Sequence, residues 1–299
     1  MANDPVPPQR IFPTSKVDAK AAEHVPSIPQ TESQAYKLAF QDVDFLLRED
    51  LRPVRFQLEL LKPELFLQEA KVASTIVFYG SARIPEPAKA DELLASASTD
   101  AQRRVAERLV AKSKYYDVAR ELARLASSVA PTDGGQHHFV VCSGGGPSIM
   151  EAANRGAADA GRPSIGLNIV LPHEQMPNSF VTPELSFQFH YFALRKMHFL
   201  LRARAVAVFP GGFGTFDEMF ELLTLIQTGK VRPLPIVLFG KEFWERVMNF
   251  DALAEEGVIS PHDLELIHWS ENAREAWDYV CGFYDCTDDD PDGVCETPA

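Results

Sequence analysis

The sequence predicts an α/β protein in which a Rossmann-like, doubly wound parallel sheet carries helices on both faces and follows an N-terminal helical extension. Short apolar runs alternate with helix-length segments between residues 72 and 284, which is the pattern of repeated strand–helix units. Glycine-rich or small-residue turns follow three of these apolar runs. Such turns are typical of strand ends that face a ligand in an open parallel sheet.

Residues 1–71 precede the predicted sheet and fall into two parts. Residues 1–32 are polar and rich in proline, which predicts an irregular or disordered arm. Residues 33–71 carry apolar side chains at helical spacing, and Pro53 and Pro63 are expected to divide them into separate helices. A segment this apolar is expected to pack on one flank of the sheet or on a neighbouring subunit.

The predicted core covers residues 72–284, and residues 285–299 form an acidic tail. Strands are expected at 74–79, 138–142, 164–169, 187–192, 205–209, 234–239 and 266–269. Helices are expected at 100–130, 148–160, 193–204, 215–229, 242–256 and 272–283. Because a helix follows almost every strand, the strands are predicted to be parallel.

The most informative turn joins strand 205–209 to helix 215–229. It contains Gly211, Gly212, Gly214 and Thr215. Glycines let an anion approach the backbone closely, and the N–H groups and dipole of the helix N-terminus attract phosphate. Glu218 follows about one helical turn later, where it would lie beside a phosphate without occupying its place.

Two further turns are predicted to share the same crevice. Strand 138–142 runs into Gly144, Gly145 and Gly146, and the first strand ends at Gly80 and Ser81. No Lys-Ser or Lys-Thr pair follows the glycines, so none of these turns is a P-loop, and a dinucleotide fingerprint is also missing. The ligand predicted from these turns is a mononucleotide.

Other polar residues between the turns are candidates for the site. Arg195 and Lys196 begin a helix, and only one of two adjacent side chains can face the crevice squarely. Arg195 offers a planar donor fork suited to phosphate or sugar oxygens. Glu151 and Asn154 share a helical face and could reach a ribose or a phosphate, and Glu174 lies on a loop that could cap the site.

The composition limits the classes of partner and cofactor. A net charge of −13 over 299 residues disfavours nucleic acid and anionic membrane. The sequence has neither an apolar signal core nor a membrane-spanning apolar run, which predicts a cytoplasmic protein. Its cysteines and histidines lack metal-ligand spacing, so neither a metal nor a cofactor is expected.

Together these motifs resemble the Lonely Guy family, whose members are often mislabelled as lysine decarboxylases. The resemblance rests on Gly80-Ser81, Gly144-Gly145-Gly146-Pro147 with Met150-Glu151, Arg195-Lys196, and the run from Pro210 to Glu218. It spans about residues 72–284 and implies a dimeric Rossmann-like nucleotide-binding catalytic domain. The implied reaction is phosphoribohydrolase cleavage of AMP or N6-prenylated AMP into free base and ribose 5-phosphate.

The resemblance also implies roles for individual residues. Arg195 and Glu218 match the catalytic pair of the family, while Glu174, Lys196, the loop Gly211–Glu218 and Thr224 fall where the family binds substrate. Two departures are the helical prefix and Asp217, where glutamate is common.

The residues suggest a mechanism that agrees with this resemblance. Cleavage of an N-glycosidic bond passes through an oxocarbenium-like cation, which the Glu218 carboxylate could stabilise. The alternative is a non-catalytic carrier of a nucleotide or of the molybdenum cofactor with the same fold. The presence of both Arg195 and Glu218 argues against a pure carrier, which needs neither.

Overall fold

The computed structural model describes residues 12–172 and 176–284. The chain divides into two compact units between residues 58 and 59. In the first unit, helix α1 (Ser15–Ala22) is capped by the Thr14 hydroxyl, which accepts from the Val17 N–H. The prediction of an irregular arm is therefore wrong for these eight residues, because a threonine N-cap starts a short helix there. Helix α2 (Val43–Leu46) follows.

Helix α3 (Arg52–Glu69) runs from the first unit into the second and continues through Pro63. The prediction that Pro63 ends a helix is wrong. Proline lacks the N–H that would bond the carbonyl four residues earlier, which is that of Glu59. His198 Nε2 lies 3.2 Å from this carbonyl oxygen and donates to it instead. Pro53 lies in the first turn of α3, where a missing N–H costs nothing.

The second unit contains a seven-stranded parallel sheet, as the sequence predicts. Its strands are β1 (Thr75–Tyr79), β2 (Val140–Ser143), β3 (Ser164–Ile169), β4 (Ser186–Phe189), β5 (Ala203–Val208), β6 (Ile236–Phe239) and β7 (His268–Ser270). They are ordered β4-β3-β2-β1-β5-β6-β7. The chain moves outwards from β1 in one direction and then from β5 in the other, so the topological switch point lies between β1 and β5.

The helices of this unit connect the strands. They are α4 (Ala90–Ala95), α5 (Asp100–Val110), α6 (Lys114–Ala126), α7 (Ile149–Asp159), α8 (Phe192–Leu200), α9 (Phe213–Gln227), α10 (Lys241–Val247), α11 (Phe250–Glu255) and α12 (Ala273–Phe283). Two predicted helices are each divided. Residues 111–113 separate α5 from α6, and Asn249 starts α11 by accepting from the Ala252 N–H.

Both faces of the sheet are covered, which confirms the doubly wound prediction. Ile76 and Phe78 of β1 belong to an apolar cluster with residues of α6, α7 and α12. Val77 and Tyr79 point to the other face, into a cluster with residues of α8, α9 and α10. This alternation follows from the two-residue period of a strand. Because helices cover both faces, a ligand can enter at the carboxyl ends of β1, β2 and β5.

Candidate active site

A cavity of about 690 Å³ lies at the carboxyl ends of the central strands. It brings together most of the residues that the sequence singles out. Its lining includes Gly80, Ser81, Gly144, Gly146, Arg195, Gly211, Gly212, Gly214, Thr215 and Glu218. The three small-residue turns therefore face one crevice.

The turn after β5 presents the N-terminus of α9 to this cavity. Gly212 precedes the helix, whose first N–H groups have no acceptor within the helix. A Cβ on Gly211 would lie 2.1 Å from Thr215 Oγ1, so only glycine lets the loop fold against this threonine. At Gly212 and Gly214 a Cβ would meet no described atom within 4 Å. The backbone is therefore open to a ligand beside donors that suit a phosphate.

The turn after β2 makes room for Arg195. A Cβ on Gly144 would lie 2.8 Å from Arg195 Nη2, so a larger residue here would displace the guanidinium. Gly145 adopts a φ of +71°, and its carbonyl accepts from both the backbone N–H and the side-chain amide of Asn178. Gly145 does not line the cavity; it shapes the turn so that its neighbours can.

Arg195 and Glu218 form an ion pair inside the cavity. Arg195 Nη1 lies 3.0 Å from Glu218 Oε1, and the two side chains are 10% and 12% exposed. Arg195 Nε donates to the Leu167 carbonyl of β3 at 2.7 Å, and the guanidinium lies 4.9 Å from the centre of the Phe199 ring. A strand, a ring and a carboxylate thus fix the orientation of the arginine fork.

Burial raises the pKa of the Glu218 carboxyl from 4.5 to about 7, although the charge and hydrogen bond of Arg195 act in the opposite direction. Asp217 raises this pKa further, and Lys196 lowers it. Burial also raises the pKa of Cys142, which keeps its thiol neutral and inert. A carboxyl group that titrates near neutral pH in a cleft is typical of catalytic sites.

Besides Gly145, four of the predicted binding residues that the structure describes lie away from this lining. Glu151 accepts from the Tyr116 hydroxyl at 3.0 Å. Asn154 is fully buried and bonds Ser143, Ser164 and Asn178. Lys196 turns away from Arg195 and pairs with Asp217 and Glu221. Thr224 lines a separate depression on α9, and Glu174 lies outside the described residues.

Two cations that the sequence analysis did not select line the cavity: Arg83 and Lys112. Lys112 lies in the break between α5 and α6, where its ammonium donates to the Arg108 carbonyl at 2.7 Å. Burial and the nearby Arg108 and Arg246 lower the pKa of Lys112. Arg83 follows Gly80-Ser81 closely enough to be found from the motif, whereas Lys112 carries no local signal.

Some kinds of site do not occur in the described part of the chain. Residues 12–172 and 176–284 hold no group of three histidine, cysteine or acidic side chains that could bind a metal ion. None of the helices in those ranges has the length and apolar character needed to cross a bilayer.

Comparisons with known proteins agree with these motifs. Residues 150–280 match the family described as "Possible lysine decarboxylase". Cytokinin riboside 5′-monophosphate phosphoribohydrolase LOG1 of Arabidopsis thaliana is 30% identical over 169 residues, which are 55% of this chain and 74% of the relative. LOG3 of the same plant is 29% identical over 55% of this chain and 73% of its own length.

Among solved structures, a molybdenum cofactor carrier protein from Chlamydomonas reinhardtii is 18% identical. Its alignment covers 70% of this chain and 96% of the carrier, with a TM-score of 0.40. The match to LOG1 combines 30% identity with coverage of 74% of that protein. The chain belongs to the Lonely Guy family, whose curated members are named cytokinin riboside 5′-monophosphate phosphoribohydrolases.

Proposed function

We propose that this protein hydrolyses the N-glycosidic bond of a purine nucleoside 5′-monophosphate, AMP or N6-modified AMP, to the free base and ribose 5-phosphate. The observation that carries the proposal is the Arg195–Glu218 pair in a cavity lined by a phosphate-type turn. Membership of a family with phosphoribohydrolase names supports the same reaction.

The 5′-phosphate would bind at the N-terminus of α9. The N–H groups after Gly212 and the Thr215 hydroxyl are donors for its oxygens, and the helix dipole favours its charge. Arg83 and Lys112 add positive charge to the same cavity. Binding energy from the phosphate would hold the ribose in place, so that the reacting carbon meets the catalytic pair.

Glu218 would act on the ribose in its ionised form. As the bond from C1′ to the base nitrogen breaks, its electron pair leaves with the base and positive charge develops on the ribosyl group. A nearby carboxylate stabilises this charge. Water then bonds to C1′, and one of its protons is transferred to the base. Arg195 opposes the effect of burial on the pKa of Glu218, so that the carboxyl group ionises near neutral pH, and it offers Nη2 to substrate oxygens.

The base would lie against the apolar part of the lining. Ile169, Leu171 and Phe192 face the cavity, and Phe192 is 53% exposed. This surface suits a purine ring or an N6-prenyl group. Phe213 at the start of α9 also lines the cavity and is 95% exposed. This exposed apolar surface supports the homodimer that the family resemblance implies. The cytoplasmic location remains a prediction from the sequence.

The test is a panel of nucleoside monophosphates incubated with purified protein. Free base is measured by chromatography and ribose 5-phosphate by an enzyme-coupled assay, and equimolar release of both from AMP is expected. Glu218→Gln protein provides the matched blank. Binding of AMP without release of adenine from any member of the panel would favour the carrier alternative.

A further inference from the structure

The start of helix α8 is held by a side chain from α3. Glu59 Oε1 accepts from the His190 N–H at 2.9 Å, and Glu59 Oε2 accepts from the Tyr191 N–H at 3.2 Å. Tyr191 precedes α8 and does not cap the helix with its own side chain. Glu59 therefore supplies the acceptor and the negative charge that a helix N-terminus favours, from another helix.

Residue 59 makes a further contact with α8 through its backbone. Pro63 leaves the Glu59 carbonyl without its helical donor, and His198 Nε2 lies 3.2 Å from that oxygen. His198 is 5% exposed, so the contact is shielded from water. Glu59 thus contacts both ends of α8: its side chain binds the residues before the first turn, and its carbonyl contacts His198 near the last turn.

A second acidic residue of α3 contacts the chain beyond the other end of α8. Glu64 forms a two-pronged pair with the Arg202 guanidinium. This contact lies after the helix, whereas Arg195 lies in its first half. Glu64 thus provides a natural comparison, because it joins the same two segments without touching the end nearest to Arg195.

From these contacts we infer that Glu59 is a positioning residue, which fixes the start of α8 so that the Arg195 guanidinium stays on Glu218. This inference rests on the proposed function only in taking Arg195 and Glu218 as the catalytic pair. Arg195 N donates to the Tyr191 carbonyl at 3.1 Å. Movement of Tyr191 would therefore be passed directly to the arginine backbone.

A movement of α8 should change the pKa of Glu218. The two cations that lower its pKa, Arg195 and Lys196, both lie on α8, while Asp217, which raises it, lies on α9. Tyr79 and Cys142 also face Glu218, and burial raises the pKa of each, so both stay neutral around pH 7. Loosening the start of α8 should therefore raise the pKa of Glu218 above about 7.

The experiment compares Glu59→Gln with Glu64→Gln in the full chain. Carboxyl groups are labelled with 13C in glutamate, the Glu218 signal is assigned from its loss in Glu218→Gln, and its titration midpoint is measured by NMR. Glu59→Gln should raise the midpoint by roughly half a pH unit or more. It should also lower kcat for AMP roughly tenfold with KM changed much less, because the N-terminus of α9, where the phosphate would bind, is unchanged.

Glu64→Gln should leave both the midpoint and kcat near the wild-type values, even if it lowers the melting temperature. The inference is overturned if the Glu218 midpoint in Glu59→Gln stays within experimental error of wild type, or if Glu64→Gln moves it equally. Should Glu59→Gln not fold, Glu59→Asp, which keeps the charge but shortens its reach, is titrated and judged by the same midpoint. The titration needs no turnover, so an inactive wild type would refute the proposed function without changing this result.

Discussion

Replacing Glu218 with glutamine should abolish hydrolysis and, above pH 7, make the fold more stable. Glutamine has the shape of the protonated carboxyl group but does not ionise. The variant therefore loses the charge that stabilises the developing ribosyl cation, at a cost of roughly 3 kcal/mol or more in the barrier, or more than about 100-fold in kcat. The variant also avoids the unfavourable free energy of burying an ionised carboxylate, which wild type bears above pH 7.

The magnitude of the stability gain follows from the pKa of Glu218. Burial raises this pKa from 4.5 to about 7 in the folded chain. Between these values the folded state binds more protons than the unfolded state, so the free energy of unfolding falls as the pH rises. Each pH unit corresponds to about 1.4 kcal/mol, which gives a loss of about 3 kcal/mol above pH 7. The free energy of unfolding of Glu218→Gln does not fall in this way, because glutamine does not ionise.

The assay is urea unfolding of wild type and Glu218→Gln at pH values from about 4.5 to about 8.5. The variant should match wild type at the acidic end and exceed it by about 3 kcal/mol at the alkaline end. Glu245→Gln is the control, because the Glu245 side chain is 61% exposed and pairs with Lys241 on its own helix. A Glu218→Gln difference that does not change with pH would refute the argument that Glu218 is held ionised against burial.

Two further predictions follow from the cavity and from α3. Lys112→Met should raise KM for AMP roughly tenfold with little change in kcat, because it removes a charge from the ground-state phosphate site; Lys114→Met, on an exposed lysine paired with Glu271, should change neither. Deleting residues 1–71 should cause aggregation or a change in oligomer size in light scattering, because it removes buried Leu67 and the Glu64–Arg202 pair. Deletion of residues 1–30 should not, and an unchanged soluble particle after the longer deletion would contradict the argument.

The architecture was predictable because it depends on short-range pattern. Strand 164–169 coincides with the apolar run from which it was predicted, and the glycine turns lie where β1, β2 and β5 end. Glu218 is predictable because it follows the glycine turn by about one helical turn, and Arg195 because the family resemblance pairs it with Glu218. The ion pair between them was not predicted, because it joins residues 23 positions apart on different helices.

The missed features depend on partners that are distant in sequence. Helix α3 continues past Pro63 because His198, far along the chain, supplies the donor that proline lacks. Asn154 was expected to face the ligand, but its amide completes a buried network with Ser143 and Ser164. Lys112 reaches the cavity only because the predicted helix 100–130 breaks at residues 111–113. Helical periodicity contains none of this information.

The most direct test of the central claim is the turnover of AMP and adenosine measured side by side. The two substrates share the glycosidic bond and differ in the phosphate that the N-terminus of α9 would hold. Loss of two charge-assisted hydrogen bonds, at about 1.5 kcal/mol or more each, should lower kcat/KM for adenosine by more than about 100-fold. Release of adenine from AMP with little release from adenosine is the predicted result, and equal turnover of the two would contradict the account.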